Sequence, residues 1–158
     1  MEIGARPATG SDLDLIEALA DAAVAELTPH RGGEVWANLE ARPRPQRDAL
    51  AAAIDDDRSL VVVGTIDDVV VGYAVVHEVA RHDGDRIADL SDLFVLPGAR
   101  GVGVGEELMG PVLDWSAARG CRGLDSLALP GDRATKNFFE RFGLTARALR
   151  VHRRLDPS

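Results

Sequence analysis

The spacing of apolar residues changes period several times along the chain, and each change marks an element. Residues 2 to 6, EIGAR, read as a short first strand. In TGSDLDLIEALADAAVAEL, Leu13, Ile16, Leu19, Ala20 and Val24 recur at helical spacing behind a capping signal at Ser11, which predicts an amphipathic helix. TPHRGG ends it, and a less regular helical region from about Glu34 to Ile54 is broken by RPRP at 42 to 45, predicting two short helices. The pattern then becomes β-branched and strand-like. SLVVVGTI (59 to 66), a turn at Asp67 and Asp68, and VVVGYAVVHEVA (69 to 80) predict an antiparallel hairpin. IADLSDLFVL, from Ile87, predicts a further strand that stops at Pro97. Val104, Leu108, Met109, Val112, Leu113 and Ala117 mark one face of a helix with Gly120 as its C-cap, and Pro111 inside it predicts a kink. CRGLDSLALP supplies another strand, DRATKNFFERFG a helix capped by Asp132, and LTARALRVHRRL a last extended segment or segments. This order describes an α/β layered domain with a mixed sheet.

Composition narrows the classes. With 158 residues, 46% of them hydrophobic, the chain can bury one sizeable core, so residues 1–158 are expected to form a single domain. The N-terminus lacks the pattern of a signal peptide, and no window approaches the roughly 18 apolar residues of a membrane span, which points to a soluble cytoplasmic protein with no membrane partner. One cysteine, Cys121, and four scattered histidines give no metal-ligand spacing, so no metal is expected. A formal net charge of -8 disfavours nucleic acid as a partner. The same charge either favours cationic partners such as amines or only keeps the chain soluble.

One stretch carries distinctive chemistry. In PGARGVGVGEEL, residues 97 to 108, Gly101, Gly103 and Gly105 alternate behind Arg100, after a strand and before a helix. The spacing fits neither the GxGxxG of dinucleotide folds nor the phosphate loop of NTPases, which needs a Lys and a Ser or Thr after its last glycine. Two readings remain: a tight strand-to-helix turn, or an anion cradle. In the cradle, free N–H groups and the helix dipole, worth about half a positive charge, meet a phosphate with no Cβ in the way.

LFVLPGARGVGVGEELM resembles the signature of the GNAT superfamily of acyl-CoA-dependent N-acyltransferases, in which Gln or Arg is followed by two residues, Gly, one residue, and Gly or Ala; Arg100, Gly103 and Gly105 fill these places. DRATKNFFERFGL is similar to the family's closing helix. The resemblance implies a single-domain fold with a central, mostly antiparallel sheet of about 6 to 7 strands and about 4 helices, and acetyl-CoA as cosubstrate. It also implies that Val95 and its neighbours bind the pantetheine arm, and that the amides of Arg100, Gly101, Val102, Gly103, Val104, Gly105 and Glu106 hold the pyrophosphate. The strands ending near Leu96 and Leu129 would splay around the thioester. The family's usual helix asparagine and acid tyrosine correspond here to Asp132 and Phe139.

Acyl transfer to an amine needs a group that accepts a proton. By gapless spacing from Arg100, Asp89 matches the base of some relatives; the alternative is a solvated charge. Asp92 is the second candidate, with His77 and Glu78 behind it. A regular strand puts Asp89 and Asp92 on opposite faces, and only a bulge would unite them. With Phe139 unable to donate a proton, Tyr73, the only tyrosine, either substitutes as the acid or packs with its hydroxyl at the sheet edge. Arg31 and Trp36, in the loop between the first helices, either meet the acceptor or are solvent and packing residues. Three functions follow. The first is N-acetylation of a primary amine on a small molecule or peptide, by direct attack in a ternary complex without Cys121 as carrier. The second is a noncatalytic acyl-CoA-binding regulatory module, and the third a plain interaction domain. Pairing of two copies into a homodimer is carried by analogy alone.

Overall fold

The computed structural model describes residues 1–156. Strand β1 (Ile3–Pro7) and a 3-10 turn (Gly10–Asp12) lead into helices α1 (Leu13–Leu27), α2 (Gly33–Leu39) and α3 (Arg47–Asp55). The hairpin β2 (Ser59–Ile66) and β3 (Val69–Ala80) follows, then β4 (Arg86–Val95), α4 (Val104–Ala118), β5 (Leu124–Ser126) and α5 (Arg133–Arg141). The sheet runs in the order β1-β2-β3-β4-β5, antiparallel throughout except for the parallel pair β4 and β5.

The α/β class and the mixed sheet hold, but the counts differ from expectation: the described residues form five strands and five α-helices. The missing strands are those expected after α5. Residues 144 to 155 join no ladder, and Leu149, Val151 and Leu155 stand 90%, 90% and 86% exposed. Arginines at 147, 150, 153 and 154 break any two-residue alternation, so the segment has no apolar face to bury. It is tied down by charge instead, Arg147 to Asp125 and Arg150 to Glu40. Among the described residues no helix is long and apolar enough to cross a membrane.

Local chemistry sets the boundaries. The start of α1 is fixed by Thr9 and Asp12 and not by Ser11: the Thr9 N–H donates to Asp12 Oδ2 at 2.9 Å, and the Arg6 guanidinium donates to both Asp12 oxygens at 2.8 and 2.9 Å. At the hairpin turn Asp67 and Asp68 both take left-handed φ, 48° and 65°, the mirror-image turn that matches strand twist. Asp67 suits this place because its Oδ1 accepts the Glu2 N–H at 2.7 Å, stitching the turn to β1. Pro111 lies within α4, which continues to Ala118. The predicted caps Asp132 and Gly120 are in place, Asp132 accepting the Thr135 N–H and Gly120 with φ 73°.

Side chains alternate off the sheet into two cores. One packs Val61, Val63, Tyr73, Val75 and Phe94 against Ile16, Leu19 and Leu50 of α1 and α3. The other packs Val62, Ala74, Val76, Ala88 and Leu90 against Val104, Leu108, Met109 and Val112 of α4 and Phe139 of α5. Each fully buried Val or Leu contributes about 1.5–3 kcal/mol. Gly64 lets α4 lie this close, since a Cβ there would sit 2.6 Å from Val104 Cγ1.

One irregularity matters for the site. Between β3 and β4 the register slips, Val76 facing Leu90 but Val75 facing Asp92, so Ser91 is bulged out. Ala88 and Leu90 point into the α4 core, whereas Phe94 points into the α1 core. Asp89, before the bulge, and Asp92, after it, therefore share the α1 face of the sheet.

Candidate functional site

The glycine stretch folds into an open nest of amides. Gly101 and Gly103 have φ of 86° and 104°, while Val102 between them stays in the ordinary range, the left–right alternation that turns successive N–H groups inward. Only glycine takes such φ without cost, and a Cβ at either place would meet nothing within 4 Å, so the space over the backbone is clear. Gly105 serves differently: its missing Cβ admits the Phe138 ring, 3.1 Å from where that atom would lie.

The nest is unspent. The loop's internal bonds end with the Arg100 N–H donating to Pro97 O, and those of α4 begin with Glu107 N–H donating to Gly103 O. The amides of Gly101, Val102, Gly103, Val104, Gly105 and Glu106 have no acceptor among the described residues. Glu106, an acidic neighbour that would compete for them, is drawn aside to Arg141, 3.2 Å away. Unpaired donors at the N-terminus of a 15-residue helix make a strong anion site.

Beside this nest the sheet opens. β4 and β5 pair only from Ala88 to Leu90 with Leu124 to Ser126, after which β4 continues to Val95 without that partner. The Leu96 N–H donates to Val71 O on the β3 side, so by strand alternation the Val95 amide and carbonyl face the gap. Arg100 is arranged otherwise than the sequence suggests. Its guanidinium turns back toward α1, Nε donating to Val95 O at 2.8 Å and Nη2 to Glu26 Oε2 at 2.8 Å, 5.4 Å above the Phe94 ring. In this position it anchors the loop and does not extend a fork into the nest.

Below the gap lie the two carboxylates. Asp92 accepts from Arg42 through both oxygens at 3.1 and 2.7 Å, from Tyr73 Oη at 2.6 Å and from Ser91 Oγ at 2.6 Å. Arg42 also donates to Gln46, and the buried Gln46 in turn donates to Asp21 of α1. Burial opposes ionisation of Asp92, but the Arg42 bonds and charge, with help from Ser91 and Tyr73, outweigh it and hold the group below the ordinary carboxylate range. The Tyr73 hydroxyl is buried under the central strand and not placed at the sheet edge, and burial next to Asp92 raises its pKa well above the usual phenol value.

Asp89 has a different setting. It sits opposite His77 on β3 and Asp125 on β5, with His77 Nε2 3.5 Å from its Oδ2. Partial burial raises its pKa, the His77 charge opposes this, and Asp125 and Asp92 add to it. Both side chains are accessible, His77 at 40% and Asp89 at 39%. Glu78 points to the opposite end, held between Arg119, Arg86 and Arg58.

The structure brings Asp89, Asp92, Tyr73 and His77 to one face. Val95, Arg100 and the amides from Gly101 to Glu106 gather at the end of β4. Asp132 caps α5, and Phe139 is buried in the α4 core. Arg31 is exposed after α1, and Trp36 is half-buried on α2. Sequence reasoning overlooked Arg42, Gln46, Glu26 and Asp125. The RPRP motif, read only as a helix breaker, holds Arg42, the cation that pairs with Asp92.

A family model described as Acetyltransferase (GNAT) family matches residues 17–144. No curated protein matches the sequence. Among solved structures, a tetramutant of the BH1408 protein from Bacillus halodurans is similar with a TM-score of 0.81 and 20% identity, covering 98% of this chain and 100% of that one. AAC(6')-Iy in complex with the bisubstrate analog CoA-S-monomethyl-acetylneamine has a TM-score of 0.74 and 20% identity, covering 98% and 100%. Ribosomal-protein-alanine N-acetyltransferase from Brucella melitensis biovar Abortus 2308 has a TM-score of 0.70 and 17% identity, covering 98% and 100%. At these identities the likeness establishes a common fold.

Proposed function

Because the chain belongs to the GNAT acetyltransferase family, we propose that it transfers an acetyl group from acetyl-CoA to a primary amine of a small molecule or peptide, by direct attack in a ternary complex. The observation that carries this reading is the run of amides from Gly101 to Glu106 with no acceptor among the described residues, at a helix N-terminus beside the open edge of β4. A pyrophosphate satisfies these donors together, and the edge of β4 near Val95 offers strand-like bonds to an extended amide-bearing arm. That a similar structure holds a bisubstrate analog containing CoA supports the assignment.

The chain's own groups then divide the work. A gap-facing N–H of β4 near Val95, by strand alternation that of Leu93 on the side of Asp89, is a preorganised donor for the oxyanion that develops on the thioester carbonyl. Asp89, or the His77 imidazole beside it, takes the proton from the acceptor ammonium, directly or through water, since ammonium has no lone pair with which to attack. Asp92, fully engaged with Arg42, Tyr73 and Ser91, is structural. Neither Phe139, which has no proton to give, nor Tyr73, buried and committed to Asp92, serves the leaving thiolate, so water protonates it. Arg31, in the α1–α2 loop, and Trp36, on α2 and not in the loop, border the acceptor's approach, and the net charge of -8 suits a cationic acceptor.

Two measurements on the full chain test this. CoA should raise the melting temperature, and acetyl-CoA with a panel of amines should release free thiol for at least one of them. Gly103→Val forces a β-branched residue into φ of 104° and sets a side chain over the amides; CoA affinity should fall on the order of tenfold or more. CoA stabilisation without thiol release across the panel would assign the chain to the noncatalytic binding class. Absence of any stabilisation would remove the cradle reading altogether.

A further inference from the structure

We propose that His77 is the catalytic base of this transferase, with Asp89 as the carboxylate that positions it, an assignment that rests on the acetyltransferase reading above. The two face each other across the β3–β4 ladder in direct register, His77 Nε2 lying 3.5 Å from Asp89 Oδ2, and the bulge at Ser91 sets the pair on the same face as Asp92. Both remain partly open to solvent beside the short β4–β5 ladder, one residue before it ends, whereas the carboxylate after the bulge is closed off by Arg42, Tyr73 and Ser91.

The groups around the imidazole decide how it behaves. Asp89 lies opposite on β4, with Asp92 beyond the bulge and neutralised by Arg42 from the α2–α3 loop. On β5, Asp125 is paired with Arg147 of the C-terminal segment, and on β2 the residue in register with His77 is the uncharged Ser59. Among the described residues, Asp89 is thus the carboxylate beside His77 that carries no arginine. At 3.5 Å the two are in ion-pair contact and not hydrogen-bonded; closing by about half an ångström would make Nε2 a donor to Asp89 and leave Nδ1 with a lone pair to receive a proton.

The step balances without further reagents. The acceptor ammonium gives one proton to the imidazole and so gains its lone pair; its nitrogen forms the C–N bond as the C–S bond breaks and sheds a second proton to water. The sulfur keeps the electron pair and takes a proton from water, and the imidazolium returns its proton to solvent through its exposed edge. Asp89 remains ionised throughout.

The test uses the full chain, acetyl-CoA and an amine from the panel that supports thiol release. His77→Gln should lower kcat about a hundredfold, move the acid limb of the kcat/KM profile to lower pH, and leave the thermal stabilisation by CoA unchanged. His77→Ala should regain at least tenfold of its lost rate when free imidazole is added. Asp89→Asn should cost less than His77→Gln. A His77→Gln variant within twofold of the native rate with an unshifted limb, beside a much slower Asp89→Asn, would overturn the assignment in favour of Asp89 as direct base. Nitrogen NMR of the His77 ring separates this from failure of the acetyltransferase reading, because it needs no turnover. The neutral ring should hold one tautomer in the native chain and a mixture of two in Asp89→Ala. An unchanged tautomer would sink the pair even if the chain acetylates nothing.

Discussion

Asp92 and Asp89 lie on the same face of β4, on either side of the Ser91 bulge, and their surroundings differ in kind. Asp92 is wrapped by a guanidinium, a phenol and a hydroxyl in a relay that continues through Gln46 to α1. Asp89 has only an imidazole at 3.5 Å and unfavourable neighbours. The contrast recurs among backbone donors. The Thr9 N–H at the start of α1 is satisfied by Asp12, whereas the amides from Gly101 to Glu106 at the start of α4 have no acceptor among the described residues. Saturated polar groups hold the layers together, and those left with unspent capacity are the ones available to a ligand or a proton.

The sharpest way to break this contrast is to remove each carboxylate in turn. Asp92→Ala leaves the Arg42 charge and the Tyr73 hydroxyl buried without their acceptor, which typically costs about 3–5 kcal/mol. For a chain of this size the melting temperature should fall by roughly 10 °C. Asp89→Ala should shift it by no more than about 2 °C. Equal shifts in a melting experiment would mean that the Asp92 network is not a structural lock.

The next largest effect concerns the satisfied cap. Arg6, and then the Thr9 N–H, hold the Asp12 carboxyl down to about 2, against burial. A depressed folded-state pKa contributes stability at all pH above the ordinary carboxylate value, and that contribution is lost as pH falls from about 4 toward 2. Asp12→Asn should therefore cost about 2 kcal/mol at neutral pH and almost nothing near pH 2. Chemical denaturation at both pH values checks this, and a cost independent of pH would show that packing, and not ionisation, carries the cap.

These differences explain what the sequence could and could not disclose. Elements with strict periods were legible: the hairpin from 59 to 80 has its predicted ends and turn, and α4 begins at Val104 as its apolar face requires. The glycine turn before α4 was legible because left-handed φ at Gly101 and Gly103 demands a residue type that stands out. Arg42 was not, because its partnership with Asp92 spans 50 residues and depends on a bulge that no local pattern encodes. The shared face of Asp89 and Asp92 was hidden for the same reason, since a strict alternation separates them. The C-terminal strands were over-read because isolated valine and leucine there suggested pairing, while the arginines between them favoured ion pairs with Asp125 and Glu40.

The smallest expected effect is the most informative about Asp89. Its folded-state pKa lies above the ordinary value because burial and two neighbouring aspartates disfavour the charge. For a carboxylate this sign means that the folded state prefers the protonated form, so ionisation carries a stability penalty at neutral pH that is relieved as pH falls through the raised pKa. An asparagine, neutral at every pH, escapes the penalty. Asp89→Asn should melt at or up to about 2 °C above the native chain near pH 7, the two curves should converge under acid, and turnover should fall in the same variant. A gain in stability coupled to a loss of rate is what a group held for chemistry against the preference of the fold produces. A variant less stable than the native chain at neutral pH would place Asp89 with Asp92 among the structural carboxylates and erase the distinction between them.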